Sequence, residues 1–359
     1  MSDQPIVFDQ WTAADGSMIA VARINSPRNL NSLSLDMIRL LAPKLDQWAE
    51  DPTVCAVWLE AEGDKAFCAG GDIVSLYRSM TEPGGGNLGQ DFFREEYALD
   101  YRIHTFPKPV ICWGHGIVMG GGIGLMVGAS HRVVTERSRL AMPEVNIGLY
   151  PDVGGGWFLN RMPGKTGLFL GLTGAHLNGP DAIFAGMADR FIRHDLKPSV
   201  VDALCQSDWA AAPATVVVGR VLRDAEQRSA ADRPDSPLQA HQATIGQALD
   251  AQTLPEAVAG LAGLVGREDW LGKATKGLAG ASPTSMALVW RHLESCRLDG
   301  LKTVFDKELD LSVRCLEKGE FAEGVRALLI DKDQQPRWHY PSVDGLEERW
   351  IDGFFTTQQ

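Results

Sequence analysis

The sequence predicts an α/β fold in its first half followed by a mainly helical region, and three observations carry that expectation. Short runs rich in β-branched and aromatic residues occur at Met18–Val21, Ala56–Leu59, Pro109–Trp113 and His131–Val134, and helix-period patterns fill the stretches between them. From about residue 195 the texture becomes Ala-rich with 3.6-residue periodicity and the strand-like runs stop. The composition, 45% hydrophobic and 22% charged over 359 residues, is that of a globular protein able to bury one large core or two modest ones. The expected division is therefore an α/β core over 1–195 and a mainly helical region over 196–359.

Each element has a local reason. Ser34 suits a helix N-cap, and Met37, Ile38, Leu41, Leu45 and Trp48 then form one apolar stripe, with Asp36 favourably placed in the first turn. Pro43 is expected to weaken or bend that helix. The polar segment Ser229–Ser236 reads as an exposed loop. Beyond it, Ser282-Pro283 is a prolyl helix start, and the segment LKTVFDKELDLSVRCL from Leu301 is amphipathic.

Charge and motif content exclude several classes. A net charge of −12 disfavours nucleic acid as a partner. No apolar run reaches the roughly 18 residues of a membrane span, so no membrane partner is expected. Cysteines 55, 68, 112, 205, 296 and 315 form neither CxxC nor zinc-like pairs with histidine, and MSDQPIVFDQW has no charged-then-apolar leader pattern; the expectation is a reduced, cytoplasmic protein. Residues 120–128 do not fit the G-x-G-x-x-G spacing of a dinucleotide site, GASHR at 128–132 is not G-x-S-x-G, and H-E-x-x-H is absent.

The most informative stretch is 112–156. Gly120, Gly121, Gly122 and Gly124 leave backbone uncovered, so amide N–H groups can approach a ligand and aim at a developing oxyanion. Pro143 biases Met142 toward extended backbone and Pro151 does the same to Tyr150. Glu144 and Asp152 are thus expected on turns or loops, within reach of solvent or substrate. This is equipment for acyl-group chemistry.

Three motifs together, AFCAGGDI at 66–73, HGIVMGGGIGL at 115–125 and AMPEVNIGLYPDVGGGWFLNRMPG at 141–164, resemble the crotonase, or enoyl-CoA hydratase/isomerase, superfamily. FFREEY at 92–97, SPTS at 282–285 and FAEGVRALLIDKD at 321–333 resemble its 3-hydroxyisobutyryl-CoA hydrolase subfamily. The resemblance implies a spiral of ββα units and a helical C-terminal region serving active-site closure or self-association as a homo-oligomer. It also implies an acyl-CoA substrate, with CoA part of that substrate and no metal or redox cofactor.

Residue by residue, the resemblance implies that the amides of Gly71 and Gly121 bind the thioester oxygen and that Glu144 attacks the thioester or activates water. Asp152 would hold the substrate's 3-hydroxyl or a water, and Glu96 would line the acyl pocket. Contacts to CoA would come from Arg28, Asn31, Ala66, Asp72 and Ile73. Plainer readings stand beside these: glycines that only make tight turns, Asp152 as a helix cap, Glu96 paired with Arg94 or Arg102, Arg28 as a solvated loop residue, and Asp72 ordering its own loop. Hydratases of the superfamily typically use a second glutamate at the position of Gly124, where glycine supplies no acid or base. The expected activity is thus hydrolysis of 3-hydroxyisobutyryl-CoA in valine catabolism, with 3-hydroxypropionyl-CoA a second candidate. Enoyl-CoA hydration and non-catalytic acyl-CoA binding are the alternatives.

Overall fold

The computed structural model describes residues 4–318 and 320–356. Nine strands occur among them: β1 Ile6–Thr12, β2 Met18–Ile24, β3 Val54–Ala61, β4 Ala66–Cys68, β5 Val110–Gly114, β6 Ile117–Met119, β7 His131–Val134, β8 Arg139–Ala141 and β9 Arg190–Phe191. They form a six-stranded sheet of order β1-β2-β3-β5-β7-β9 and a three-stranded sheet of order β4-β6-β8. Successive β-β pairs (β3 with β4, β5 with β6, β7 with β8) send one strand to each sheet, which is the spiral expected of repeated ββα units. Apart from the antiparallel β1–β2 hairpin, the pairings in the larger sheet are parallel.

Two compact units divide the chain, and they interleave in sequence. The first comprises Met1–Gly71, Ala98–Leu140 and Leu177–Ser236; the second comprises Asp72–Tyr97, Ala141–His176 and Pro237–Gln359. Both sheets lie in the first unit, apart from the last residue of β8. Its core stacks Trp58 on Trp113 at 5.6 Å and packs Ile19, Val21, Ile111 and Val133 against Leu204, Val217 and Leu222. Those last three residues come from the helices Lys197–Gln206 and Ala214–Ser229, so residues beyond 195 complete the sheet's core. A single cut at 195/196, drawn from composition, does not follow this packing.

The helix Leu35–Glu50 begins at Ser34, whose hydroxyl accepts the Met37 N–H, and buries the expected stripe of Met37, Ile38, Leu41, Leu45 and Trp48. Pro43 sits on its exposed side and the helix continues through it, because the missing donor and the ring fall where water can satisfy the freed carbonyl. The second unit is built mainly of helices. In it, Ser282 caps Pro283–Cys296, and Leu301–Lys318 buries Val304, Phe305, Glu308, Leu311, Ser312 and Cys315 on one face.

Candidate active site

In the first unit, β4 and β6 run parallel as neighbours, with Ala66 opposite Ile117 and Cys68 opposite Val118. Each ends in a glycine loop. The Leu33 N–H donates to the Gly70 carbonyl at 2.8 Å. In a trans peptide C=O and N–H point opposite ways, and the described residues contain no cis bond, so the Gly71 N–H is directed away from Leu33. After β6, the Gly120 carbonyl accepts from Ile123 at 2.7 Å and Gly124 at 3.2 Å. By the same argument the Gly121 N–H points out of the N-terminus of the helix Gly121–Val127, where no carbonyl within that helix can accept it.

The glycines between have separate reasons. Gly120 adopts φ 47°, ψ −123°, which a side chain would oppose. A Cβ on Gly122 would stand 2.3 Å from the Cys68 carbonyl oxygen. Two amides therefore leave the C-terminal ends of adjacent parallel strands, a placement an oxyanion site can use.

The neighbouring candidates divide. Asn31 is buried, and its side chain is spent internally, accepting the Ser26 N–H at 2.8 Å and donating to the Glu62 and Ala66 carbonyls at 2.9 and 2.8 Å. These bonds tie its loop to β4. Arg28 is exposed on the short turn Pro27–Asn29, and Ala66 is buried within β4. Asp72 caps the helix Ile73–Thr81 by accepting the Ser75 N–H and hydroxyl at 3.2 and 2.6 Å, the loop-ordering reading of that residue. Ile73 is half-buried at the head of that helix.

The carboxylates lie in the second unit. Glu144 opens a 3-10 turn, Glu144–Ile147, held by the Ser282 N–H donating to the Val145 carbonyl at 2.8 Å. Glu144 lies on a turn and Asp152 in a loop, as expected, but they are 5% and 4% exposed; solvent does not bathe them. Glu144 Oε2 is buried without a hydrogen-bond partner, a costly state that marks a functional group more often than a structural one. Burial, reinforced by the nearby charge of Asp152, holds the Glu144 carboxyl well above the usual range.

Asp152 is raised to about 7, first by burial and also by Glu308, against a lowering hydrogen bond from Tyr97. That bond, Tyr97 Oη to Asp152 Oδ2, is 2.5 Å, and the same hydroxyl lies 2.6 Å from Ser312. Asp152 is no helix cap: the following helix, Gly155–Phe158, is capped by Gly154 without a side-chain bond. Glu96 is buried beside Tyr97, on the helix Leu88–His104. Arg94 and Arg102 pair with Asp91 and Asp46.

Four residues here escaped sequence reasoning. Tyr97, Tyr150, Ser312 and Glu308 form a buried network in which the Tyr150 hydroxyl donates to the Glu308 carbonyl at 2.8 Å and lies 2.9 Å from Ser312. A signal existed: Glu308 and Ser312 fall on the apolar stripe of an amphipathic helix, where a polar residue is unusual.

A spiral of ββα units with two outward-aimed glycine amides defines a protein of the crotonase type, and the second unit carries a buried acid with an orphaned oxygen. The chain belongs to the enoyl-CoA hydratase/isomerase family, whose sequence profile matches residues 19–355. Among its relatives, the protein of Xenopus tropicalis called 3-hydroxyisobutyryl-CoA hydrolase, mitochondrial, is 40% identical over 341 residues, covering 94% of this chain and 86% of that protein. The Homo sapiens protein of the same name is 38% identical, covering 93% and 85%. A solved carnitinyl-CoA dehydratase from Mycobacterium thermoresistibile superposes with a TM-score of 0.87 at 30% identity over 99% of this chain and 97% of that one. An enoyl-CoA hydratase from Rhodobacter sphaeroides gives 0.83 at 33%, covering 98% and 97%.

Proposed function

We propose that this protein hydrolyses the thioester of a short branched 3-hydroxyacyl-CoA, 3-hydroxyisobutyryl-CoA foremost, releasing CoA and the 3-hydroxy acid. Support comes from the relatives of that name and from one observation above all: Glu144 keeps a buried, unpartnered carboxylate oxygen while position 124 is glycine. One acid suffices to attack an activated carbonyl or to deprotonate a water, whereas hydration across a double bond uses two.

The roles then divide by chemistry. The amides of Gly71 and Gly121 stabilise the negative charge that develops on the thioester oxygen, an interaction stronger in the transition state than before it. Glu144 either forms an acyl anhydride that water cleaves or serves as general base, and both routes need it ionised. Asp152 orients the substrate's 3-hydroxyl. The reaction uses no metal or redox cofactor.

Glu144→Gln keeps the shape and removes the charge. CoA release is expected to fall by at least about 100-fold, the lower end of what general acid–base catalysis supplies, while acyl-CoA binding persists. In the wild type the rate should rise with pH along a limb above the ordinary carboxylate range, because burial and Asp152 hold the proton on Glu144. Near wild-type turnover in the variant would overturn the assignment.

A further inference from the structure

We propose that Glu308 is a positioning residue: its carboxylate holds the backbone turn that follows Asp152 and so sets the angle at which Asp152 meets the substrate's 3-hydroxyl. The inference rests on the role of Asp152 proposed above.

The turn needs holding. Directly after Asp152, Val153 has φ 50° and Gly154 φ 89°. A β-branched residue in the left-handed region is strained, and such strain persists only where surrounding structure over-determines it. Glu308 supplies that constraint, since its Oε2 accepts the Gly154 N–H at 2.7 Å and its Oε1 accepts the Gly156 N–H at 2.8 Å. His292 Nε2 lies 3.2 Å from the same Oε1. Burial alone would keep that imidazole neutral; hydrogen bonds to Cys296 and Glu308, with the Glu308 charge, outweigh it and raise His292 to about 9.

Glu308 is fully buried among Val304, Phe305 and Leu311, a place where an apolar side chain would serve stability at least as well as an ion pair. What a carboxylate adds there is a pair of acceptors at a fixed spacing, matched to two amides of one turn. The same helix also reaches the Asp152 side chain through Ser312 and Tyr97. The turn after Asp152 is thus held directly, and its carboxylate through Tyr97, from the same helix. In Glu308→Gln an NH2 group would face one of the two amide donors, so one grip on the turn is lost with little change in volume.

The test measures the ratio of kcat/KM for 3-hydroxyisobutyryl-CoA to that for isobutyryl-CoA, a pair differing only in the hydroxyl. It is applied to the wild type, Asp152→Asn and Glu308→Gln. A merely structural residue would scale both substrates alike and leave the ratio unmoved. We expect the wild type to favour the hydroxylated substrate and both variants to lose on the order of 100-fold of that preference, as small misplacements of a substrate-orienting group do.

Should Asp152→Asn keep the wild-type ratio, the reading of Asp152 fails and this inference with it. Loss of preference in Asp152→Asn but not in folded Glu308→Gln overturns the positioning role alone. If Glu308→Gln does not fold, the double variant Glu308→Gln/Val153→Gly carries the test, because glycine adopts the left-handed turn without strain. It is expected to fold with a ratio below wild type; failure to fold, or the full wild-type ratio, overturns the proposal.

Discussion

Asp152→Asn should stabilise the protein, and should do so more at alkaline than at acidic pH. Burial raises the Asp152 carboxyl from 3.8 to about 7, so the folded protein holds a proton that the unfolded chain has already released. A raised carboxyl pKa contributes stability that is complete below the unfolded value and is lost as pH climbs through the folded one. With one pKa unit worth about 1.4 kcal/mol, ionisable Asp152 costs about 2 kcal/mol relative to a neutral residue at pH 5 and about 4 kcal/mol at pH 8.

Asparagine retains an oxygen to accept the Tyr97 hydroxyl. Any fixed cost of the new amide cancels between the two pH values. Removing the Asp152 charge also relieves Glu144, whose proton that charge helps to hold, which adds in the same direction. Urea titrations of both proteins at pH 5 and pH 8 should therefore show the variant's advantage growing by about 2 kcal/mol or more on going to pH 8. An advantage equal at the two pH values, or shrinking, would refute the claim that this site is built around costly buried carboxylates.

Two further substitutions test the surroundings. Gly122→Ala places a Cβ 2.3 Å from the Cys68 carbonyl oxygen, so β4 must shift. Overpacking of this kind costs about 1–3 kcal/mol, and CoA release should fall on the order of 100-fold as the Gly71 loop moves with the strand; a variant as stable and active as wild type would contradict the account of the glycine cluster. Tyr97→Phe removes the hydroxyl that donates to Asp152 Oδ2 and strands buried acceptors. A loss of about 1–3 kcal/mol in urea unfolding is expected, together with a weaker preference for the hydroxylated substrate, and an unchanged urea midpoint would argue against the network.

Much of the fold was legible where one segment carried its own signal. β2, β3, β5 and β7 sit on the runs at Met18, Ala56, Pro109 and His131, because strands buried on both faces read as continuous apolar stretches. β1 was not legible, since it is an edge strand with only Ile6 buried. β4, β6 and β8 are three residues each, too short for any period to show.

At the site, the glycine loops and the two proline-flanked acids announced themselves, since each motif is local. The residues that hold them did not. Glu308 and Ser312 lie more than 150 residues from the turn they support, and only the fold joins them. Asn31 shows the same limit: only its buried partners reveal that its side chain braces the loop. The change of texture at 195 differs from the compact units because composition records secondary structure, whereas compact units are defined by which faces pack together.

With one working acid and glycine at position 124, this spiral fold breaks a thioester rather than hydrating a double bond. Wild-type protein should be given 3-hydroxyisobutyryl-CoA and crotonyl-CoA in parallel, with free CoA measured by thiol release and double-bond hydration by loss of enoyl absorbance. CoA release from the first should be far faster than hydration of the second. Efficient crotonyl-CoA hydration without appreciable CoA release would contradict it.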